Sequence, residues 1–312
     1  MSDRSYQPTP SHLRAFVAVA RYRHFGTAAT QLGITQPSLS QALVALEQGL
    51  GVQLIERNTR RVLVTEAGAQ LLGRATAALD AADGLVSAAA GLDGCLTGVL
   101  RLGMIPTVAP YVLPALLPAV RATYPDLVPK IVEDHTVRLL DALRAGTIDV
   151  AVLAGPIADS GLVELPMYTE DFVLAVPAGH VLAGRDDLTV ADLRGLPLLL
   201  LDEGHCLREQ TLDLCRSVDF APDAGDTRAT SLTTVVQCVA GGLGLTLLPR
   251  SAVRVEIARN GLSTAEFAQP APGRTIGLAY RASSARSTEF GALASLLADG
   301  VLSEAPAGIS RA

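Results

Sequence analysis

The 312-residue sequence predicts an α/β chain in three parts: a small all-α unit with a two-stranded wing, a long connecting helix, and a large two-lobed α/β domain. Three observations predict it. Apolar residues recur at helical spacing over residues 12–50, an alanine-rich helical pattern covers 65–92, and apolar strands alternate with helices from residue 98 onward. The last stretch is long for one lobe, so we expect two lobes around a cleft.

In the C-terminal part we expect mostly parallel strands, because helices separate consecutive strand candidates. The residues after the last predicted helix, 301–312, are expected to be loosely held. The strand candidates are residues 99–104, 129–132, 150–153, 172–176, 197–201, 246–248 and 275–280.

The N-terminal pattern is typical of a helix-turn-helix. A short helix ends at Gly33, which makes the turn, and the next helix is predicted to start near Gln36 with Pro37 in its first turn. Two β-type runs around residues 57–61 predict a wing with a basic tip. Without the wing, the same helices would also fit a protein-interaction module.

Charge is divided unequally along the chain, whose net charge is −6. Residues 1–66 hold seven arginines and four acidic residues, which gives +3, while the remainder holds 18 basic and 27 acidic residues, which gives −9. A basic head on an acidic body fits one end that meets phosphate and another that does not.

The candidate DNA contacts lie at the start of the third helix and in the wing. Glutamine and serine side chains can hydrogen-bond to base edges in the major groove of double-stranded DNA, and arginine neutralises backbone phosphate. The candidates are Thr35, Gln36, Pro37, Ser38, Ser40, Gln41, Arg57, Arg60 and Arg61.

The long helix carries a seam of small apolar residues that suits close pairing of two chains. The alternative is a helix packed on its own domain. The seam residues step by three and four positions: Leu72, Ala75, Leu79, Ala82, Val86 and Ala89.

Of the four cysteines, at positions 95, 206, 215 and 238, two lie in an unusual segment. Cys206 follows His205 and opens a predicted helix, so backbone N–H groups and the helix dipole favour its thiolate. A thiolate there would react with peroxide to form a sulfenic acid, which a second thiol such as Cys215 would convert to a disulfide. The spacings match no zinc site, so we expect neither metal nor cofactor.

Cys206 and Cys215 are nine positions apart, which is about 13.5 Å along a helix at roughly 1.5 Å per residue. A disulfide needs Cα atoms within about 7 Å. If the segment is helical when reduced, oxidation must therefore unwind it. The alternative is a pair of buried, inert cysteines.

The sequence holds no apolar signal core near its N-terminus and no apolar run of about 20 residues. We therefore expect a cytoplasmic protein with no membrane partner.

The N-terminal motifs resemble those of the LysR family of transcriptional regulators over about residues 11–70. The resemblance implies a winged helix-turn-helix, a dimerising linker helix, an effector domain like a periplasmic binding protein, assembly as a homodimer or homotetramer on promoter operator DNA, and RNA polymerase as a partner. Thr35 stands where many members carry Ser. The motifs are Ala28-Ala29-x-x-Leu32, Thr35-Gln36-Pro37-Ser38-Leu39-Ser40, Leu46-Glu47-x-x-Leu50-Gly51-x-x-Leu54, Glu56-Arg57-x-x-Arg60 and Leu63-Val64-Thr65-x-Ala67-Gly68.

The segment Gly204-His205-Cys206-Leu207-Arg208-x-Gln210, with Cys215 beyond it, resembles the OxyR branch of that family, which senses hydrogen peroxide. Glu209 stands where the motif usually has Asp. The resemblance implies that Cys206 is the peroxidatic cysteine and Cys215 the resolving one. It also implies a peroxide pocket formed by Thr107, Thr136, His205, Gln210 and, as thiolate partner, Arg274.

The sequence therefore predicts a peroxide-sensing regulator and not an enzyme, with a DNA-binding domain at 1–66, a linker helix and hinge at 67–94 and a regulatory domain at 95–312. Lobe I is expected at about 95–167 and 271–305, and lobe II at about 168–270. A regulator whose cleft binds a metabolite is the alternative. A thiol peroxidase would not need the DNA-binding head.

Overall fold

A computed structural model describes residues 6–58, 61–90, 96–222, 229–257, 261–284, 286–303 and 307–312. It describes only the backbone at 57, 58, 61, 80, 83, 84 and 86–90. Contacts divide the chain into an N-terminal unit, 1–93 with 142–147, and a C-terminal unit, 94–141 with 148–312. Among the described helices, none combines the length and the apolarity that crossing a bilayer requires.

The N-terminal unit is a winged helix-turn-helix, as predicted. Helices α1 (Pro10–Tyr22), α2 (Phe25–Leu32) and α3 (Gln36–Leu50) precede the antiparallel strands β1 (Ile55–Asn58) and β2 (Arg61–Val64). Gly33 turns the chain between α2 and α3 at a φ of +66°, a conformation that favours glycine.

The core of this unit is aliphatic, with Phe16, Leu39, Leu43 and Leu46 fully buried. The carboxylate of Glu47 joins α3 to the wing, because its Oε1 accepts hydrogen bonds from the backbone N–H groups of Leu54, at 2.9 Å, and Ile55, at 3.0 Å. The helix α3 and the wing are thus held as one body.

The long helix α4 runs from Glu66 to Ala90. Leu72 and Ala75, the first two seam residues, pack against the core of the helix-turn-helix. This part of the seam follows the alternative in which the helix packs on its own domain. The seam side chains Val86 and Ala89 lie outside the described residues.

In the C-terminal unit, the strands β3 (Gly98–Met104), β4 (Leu127–Glu133) and β5 (Val150–Ala154) are parallel, with β3 between the other two. The helices α5 (Ala109–Thr123) and α6 (Thr136–Arg144) follow β3 and β4.

The expectation of mostly parallel strands is wrong. The strand β6 (Leu162–Pro177) and the strand β9 (Gly273–Arg281) are antiparallel to each other, and β9 is antiparallel to β5. The chain leaves the first lobe along β6 and returns along β9, and alternation of strands and helices does not reveal the direction of such a crossing.

The second half of β6 belongs to the second lobe, where it pairs with β7 (Thr246–Pro249) and β8 (Leu262–Glu266). Alternate residues of β6 face two apolar clusters, with Val173 in one and Leu174 in the other. The helices of this lobe are α7 (Cys206–Arg216), α8 (Leu232–Ala240) and α9 (Arg250–Glu256).

Two further sequence predictions need correction. Residues 197–201 form only isolated bridges, Leu198 with Leu245 and Leu201 with Ala229, so they are not a ladder strand. The C-terminus is not wholly loose, because after α10 (Ser287–Leu302) the strand β10 (Ile309–Arg311) pairs with Tyr168–Glu170 of β6. Three residues give only a weak strand pattern in a sequence, but backbone hydrogen bonds to the edge of β6 hold this segment as a strand.

Candidate functional site

Cys206 is the first residue of α7, and Cys215 is its tenth, so both thiols lie on one continuous helix. Cys206 is half-buried, whereas Cys215 is 0% exposed and sits in an apolar cluster with Leu174 and Leu198. Burial raises the pKa of the Cys215 thiol. Both are free thiols, as is Cys238. Cys95 lies outside the described residues.

Cys206 faces a small pocket with about 150 Å³ of empty space, divided into gaps too narrow for a water molecule. Three segments meet there: the residues after β3, the residues after β4, and the start of α7. The first two meet because the carboxyl ends of adjacent parallel strands lie at one edge of a sheet. The lining residues are Ile105, Pro106, Thr107, His135, Thr136, Gly204, His205 and Cys206.

Arg274, on β9, fixes one wall of this pocket. Its Nη1 donates to the Thr107 hydroxyl at 2.9 Å and its Nη2 to the Thr107 carbonyl at 3.0 Å. Its Nε donates to Glu170 Oε1 at 2.9 Å, and both side chains of this ion pair are fully buried. Burial alone would lower the pKa of Arg274, but the carboxylate of Glu170 and the negative charge of a Cys206 thiolate raise it. Arg274 is therefore a permanent cation electrostatically coupled to Cys206.

Three buried polar atoms around Cys206 have no hydrogen-bond partner among the described residues: Thr136 Oγ1, His205 Nε2 and Gln210 Oε1. Such groups are rare in folded proteins, where an ordered water, a ligand or a functional role accounts for them. A hydroxyl can donate and accept, and so can hydrogen peroxide. The unpaired atoms of the lining residues Thr136 and His205 are therefore chemically suited to a small molecule with two O–H groups, for which the pocket would have to widen.

His205 is buried, and its ring lies against that of His135, with centroids 4.3 Å apart. Burial and the neighbouring His135 lower the pKa of His205, while a hydrogen bond to the Thr230 backbone and the charge of Asp202 oppose them. The neutral imidazole therefore prevails at neutral pH, with Nε2 as an acceptor.

The structure brings most of the predicted pocket residues together. Thr107, Thr136, His205 and Cys206 line the pocket, and Arg274 contacts Thr107. Gln210 is not a lining residue, although it lies one helical turn after Cys206.

Sequence reasoning missed His135, Gly204 and Glu170 as parts of the site. His135 could have been predicted, because it is adjacent in sequence to the predicted pocket residue Thr136. Gly204 has a φ of +93°, and a Cβ there would come 2.6 Å from His135 Nδ1. Nothing in the sequence marks Glu170 as part of the site, because its role depends on the ion pair with Arg274, which only the folded structure shows.

A second buried carboxylate, Glu256 of α9, accepts hydrogen bonds from the hydroxyls of Tyr111 on α5 and Thr233 on α8, each at 2.8 Å. Burial, together with Glu256, raises the pKa of Tyr111. The two lobes of the C-terminal unit therefore share a polar contact next to the Arg274 network.

The predicted DNA face is exposed at Thr35, Gln36, Pro37, Ser38 and Gln41, while Ser40 is half-buried. Thr35 caps α3, because its Oγ1 accepts from the Ser38 backbone N–H at 3.3 Å.

The predicted wing residues are only partly described. Arg57 pairs with Val62 across the wing hairpin, and Arg61 pairs with Asn58. Arg60 and the side chains of Arg57 and Arg61 lie outside the described residues.

The two units match two family models. Residues 10–69 match the bacterial regulatory helix-turn-helix proteins of the lysR family, and residues 94–301 match the LysR substrate binding domain.

The chain is 55% identical over 304 residues to a probable hydrogen peroxide-inducible genes activator of Mycobacterium leprae, which covers 97% of this chain and 98% of that one. Among solved structures it is similar to a Cys-to-Ser variant of Corynebacterium glutamicum OxyR with H2O2 bound, at 53% identity and a TM-score of 0.68, over 96% of this chain and 94% of that one. It is also similar to a full-length OxyR variant of Pseudomonas aeruginosa, with a TM-score of 0.80 and 33% identity over 94% of this chain and 95% of that one. The chain belongs to the LysR family of bacterial helix-turn-helix transcriptional regulators.

Proposed function

We propose that this protein is a hydrogen-peroxide-sensing, DNA-binding regulator of oxidative-stress genes and that α7 is its switch. One observation carries the proposal: the two thiols lie on one helix, Cys206 facing a polar pocket and Cys215 sealed in an apolar core. The names of its relatives support H2O2 as the effector.

In the proposed reaction the Cys206 thiolate attacks one oxygen of H2O2. The S–O bond forms, the O–O bond breaks, and the leaving hydroxide takes a proton to become water. The Cys215 thiol then attacks the sulfenic sulfur, the S–S bond forms, and a second water leaves. Cys206 is the peroxidatic cysteine and Cys215 the resolving one.

The pocket residues have distinct roles in this proposal. Arg274 stabilises the thiolate and holds Thr107, whose hydroxyl orients peroxide. Thr136 and His205 offer unpaired polar atoms to the substrate. Gln210, one turn after Cys206, completes the site once α7 rearranges.

Helical geometry makes the disulfide a conformational trigger. The ends of the 206–215 segment are about 13.5 Å apart at roughly 1.5 Å per residue, whereas a disulfide needs Cα atoms within about 7 Å. Segment 205–216 must therefore unwind, and Cys215 must leave the cluster that holds Leu174 and Leu198. This change would alter the shape of the oligomer and its DNA contacts.

The DNA-binding end completes the proposal. Residues 1–66 bind promoter operator DNA, 67–94 form the dimerising linker and hinge, and 95–312 form the regulatory domain. The protein acts in the cytoplasm as a homodimer or homotetramer and contacts RNA polymerase. Its DNA contacts come from the α3 start and the wing: Thr35, Gln36, Pro37, Ser38, Ser40, Gln41, Arg57, Arg60 and Arg61.

Mass spectrometry of purified protein after micromolar H2O2 tests the proposal. We expect a Cys206–Cys215 disulfide in the wild type, sulfenic acid at Cys206 in Cys215→Ser, and no oxidation product at Cys215 in Cys206→Ser. Cys238→Ser is the matched control and should behave as wild type. A DNA footprint that responds to peroxide equally in Cys206→Ser would overturn the proposal and favour a metabolite in the cleft.

A further inference from the structure

We propose that His135 is the proton donor of the pocket, and that as an imidazolium it protonates the hydroxide released when Cys206 attacks peroxide. The inference rests on the proposed function and deepens it. His135 lines the same pocket as Cys206, and its ring lies 4.3 Å, centroid to centroid, from that of His205.

His205 does not suit this role. One of its ring nitrogens is engaged by the Thr230 backbone, and Nε2 has no hydrogen-bond partner among the described residues. Burial and His135 lower the pKa of His205, so Nε2 carries a lone pair at neutral pH. His205 therefore accepts a hydrogen bond from peroxide and has no proton to give at this atom.

His135 is only half-buried, so solvent can reload it with a proton. Two imidazoles in contact do not both hold a positive charge readily, and the more exposed ring loses less hydration when it is charged. Of the two rings, His135 is therefore the one that solvent can supply with a proton.

Gly204 allows this arrangement. Its φ of +93° favours glycine, and any side chain there would meet the His135 ring, with Cβ 2.6 Å from Nδ1. Without a side chain at position 204, the start of α7 lies against the His135 ring, and His135 lines the pocket together with Cys206.

The proton balance closes with His135 as the donor. The S–O bond forms, the O–O bond breaks, hydroxide takes the His135 proton, and sulfenic acid, water and neutral His135 remain. Arg274 cannot act instead, because a guanidinium does not deprotonate in proteins. Asp134 accepts from the His135 backbone N–H and pairs with Arg138 at 3.6 Å. The titratable and charged groups on the segments that meet here include Glu133, Asp134, Arg138, Asp202, Glu203, His205, Cys206, Arg208, Glu209 and Arg274.

The test is the rate constant for oxidation of Cys206 by H2O2 from pH 5.5 to 9, measured by stopped flow on the full chain. For the wild type we expect a rate constant that falls with rising pH within the range of about pH 5 to 8 where histidines titrate. His135→Gln should be at least about tenfold slower at pH 6 and should lack the fall, because general acids typically contribute about 10²–10⁴-fold. His180→Gln, at a histidine that does not line the pocket, is the control and should match wild type.

His135→Asn serves as a second variant, with thermal unfolding to verify that each variant is folded. The role of His135 would be overturned if both variants kept rate constants within about twofold of wild type and the same decrease of the rate constant with rising pH. The proposed function would then remain intact. A wild-type protein whose Cys206 does not react with H2O2 would overturn both.

Discussion

The helices α3 and α7 both begin at a polar residue, but their first turns are held in different ways. Thr35 caps α3 with its side chain, and Gly51 ends the helix at a φ of +70°. At the start of α7, His205 makes no side-chain cap hydrogen bond, and Ser217 ends the helix in an ordinary right-handed conformation. The two helices therefore differ at their starts, because both end in a backbone turn: after α7, Asp219 has a φ of +52° and the Phe220 N–H donates to the Cys215 carbonyl at 3.0 Å.

The difference matches two opposite requirements. A helix that presents side chains to DNA must keep its shape, while a switch helix must lose its shape when its chemistry changes. An 11-residue helix is marginal on its own, so α7 depends on the burial of Leu207, Thr211 and Cys215. In the proposed switch, oxidation removes one of those anchors, Cys215, from the core.

The largest effect is expected at the ion pair that holds the pocket beside α7. Arg274→Gln leaves the buried carboxylate of Glu170 without its cation, which should lower the free energy of unfolding by about 3–5 kcal/mol. Urea unfolding measures it. The double variant with Glu170→Gln is the control and should recover much of the loss. A cost for the single variant below about 1 kcal/mol would contradict the assigned network.

A smaller effect should follow from weakening α7 at an exposed position. Glu209→Gly should destabilise the helix by about 1 kcal/mol. Because unwinding precedes closure of the disulfide, we expect Cys206–Cys215 to form about fivefold faster. Quenched-flow alkylation measures the rate, with Glu209→Ala as the control. Gln48→Gly, at an exposed position of α3, should leave the rate of disulfide formation unchanged, and equal acceleration there would break the contrast between the helices.

A prediction of similar size concerns the cap of α3, in the N-terminal unit. Thr35→Ala removes the acceptor of the Ser38 N–H and should destabilise this helix by about 1 kcal/mol. Operator binding, measured by fluorescence anisotropy, should weaken, while the rate of Cys206 oxidation stays as in wild type. Thr35→Ser keeps the hydroxyl and should bind as wild type. If Thr35→Ala also lost the reaction of Cys206 with peroxide, DNA binding at α3 and peroxide sensing at α7 would not be independent of each other.

The smallest effect concerns pH. The pKa of His205 is lower in the folded protein than the ordinary value of about 6.5, so below that value the unfolded state binds more protons. The free energy of unfolding is therefore unaffected by His205 above about pH 6.5 and decreases as the pH falls from there toward the pKa of His205 in the folded protein. His205→Gln should flatten this part of the profile of unfolding free energy against pH. An unchanged slope between pH 5 and 6.5 would contradict it.

Much of the fold was predictable from local patterns. Gly33 and Pro37 mark the helix-turn-helix, and the long helix, α5 and α7 follow the apolar period. Strand direction was not predictable, because β6 and β9 cross between lobes and their pairing depends on contacts far apart in sequence. The same holds for β10, whose three residues gain order only from β6.

The resemblance to a known family predicted from the sequence which residues would lie near Cys206. Cys206, Thr107 and Thr136 follow recognisable motifs and line one pocket. The partnership of Glu170 with Arg274 was not predictable, because 104 positions separate the two residues. The contact of His135 with His205 likewise depends on how the two lobes meet.

The most direct test of the switch is hydrogen–deuterium exchange at the backbone amides of residues 210–216, measured together with the Cys206–Cys215 disulfide. These amides lie in α7 beyond its first turn and should exchange slowly in the reduced protein. After H2O2 they should exchange at least about tenfold faster in the wild type, because the helix unwinds, and should stay protected in Cys215→Ser, with α3 unchanged in both. A disulfide that forms while residues 210–216 keep their full protection would contradict the account.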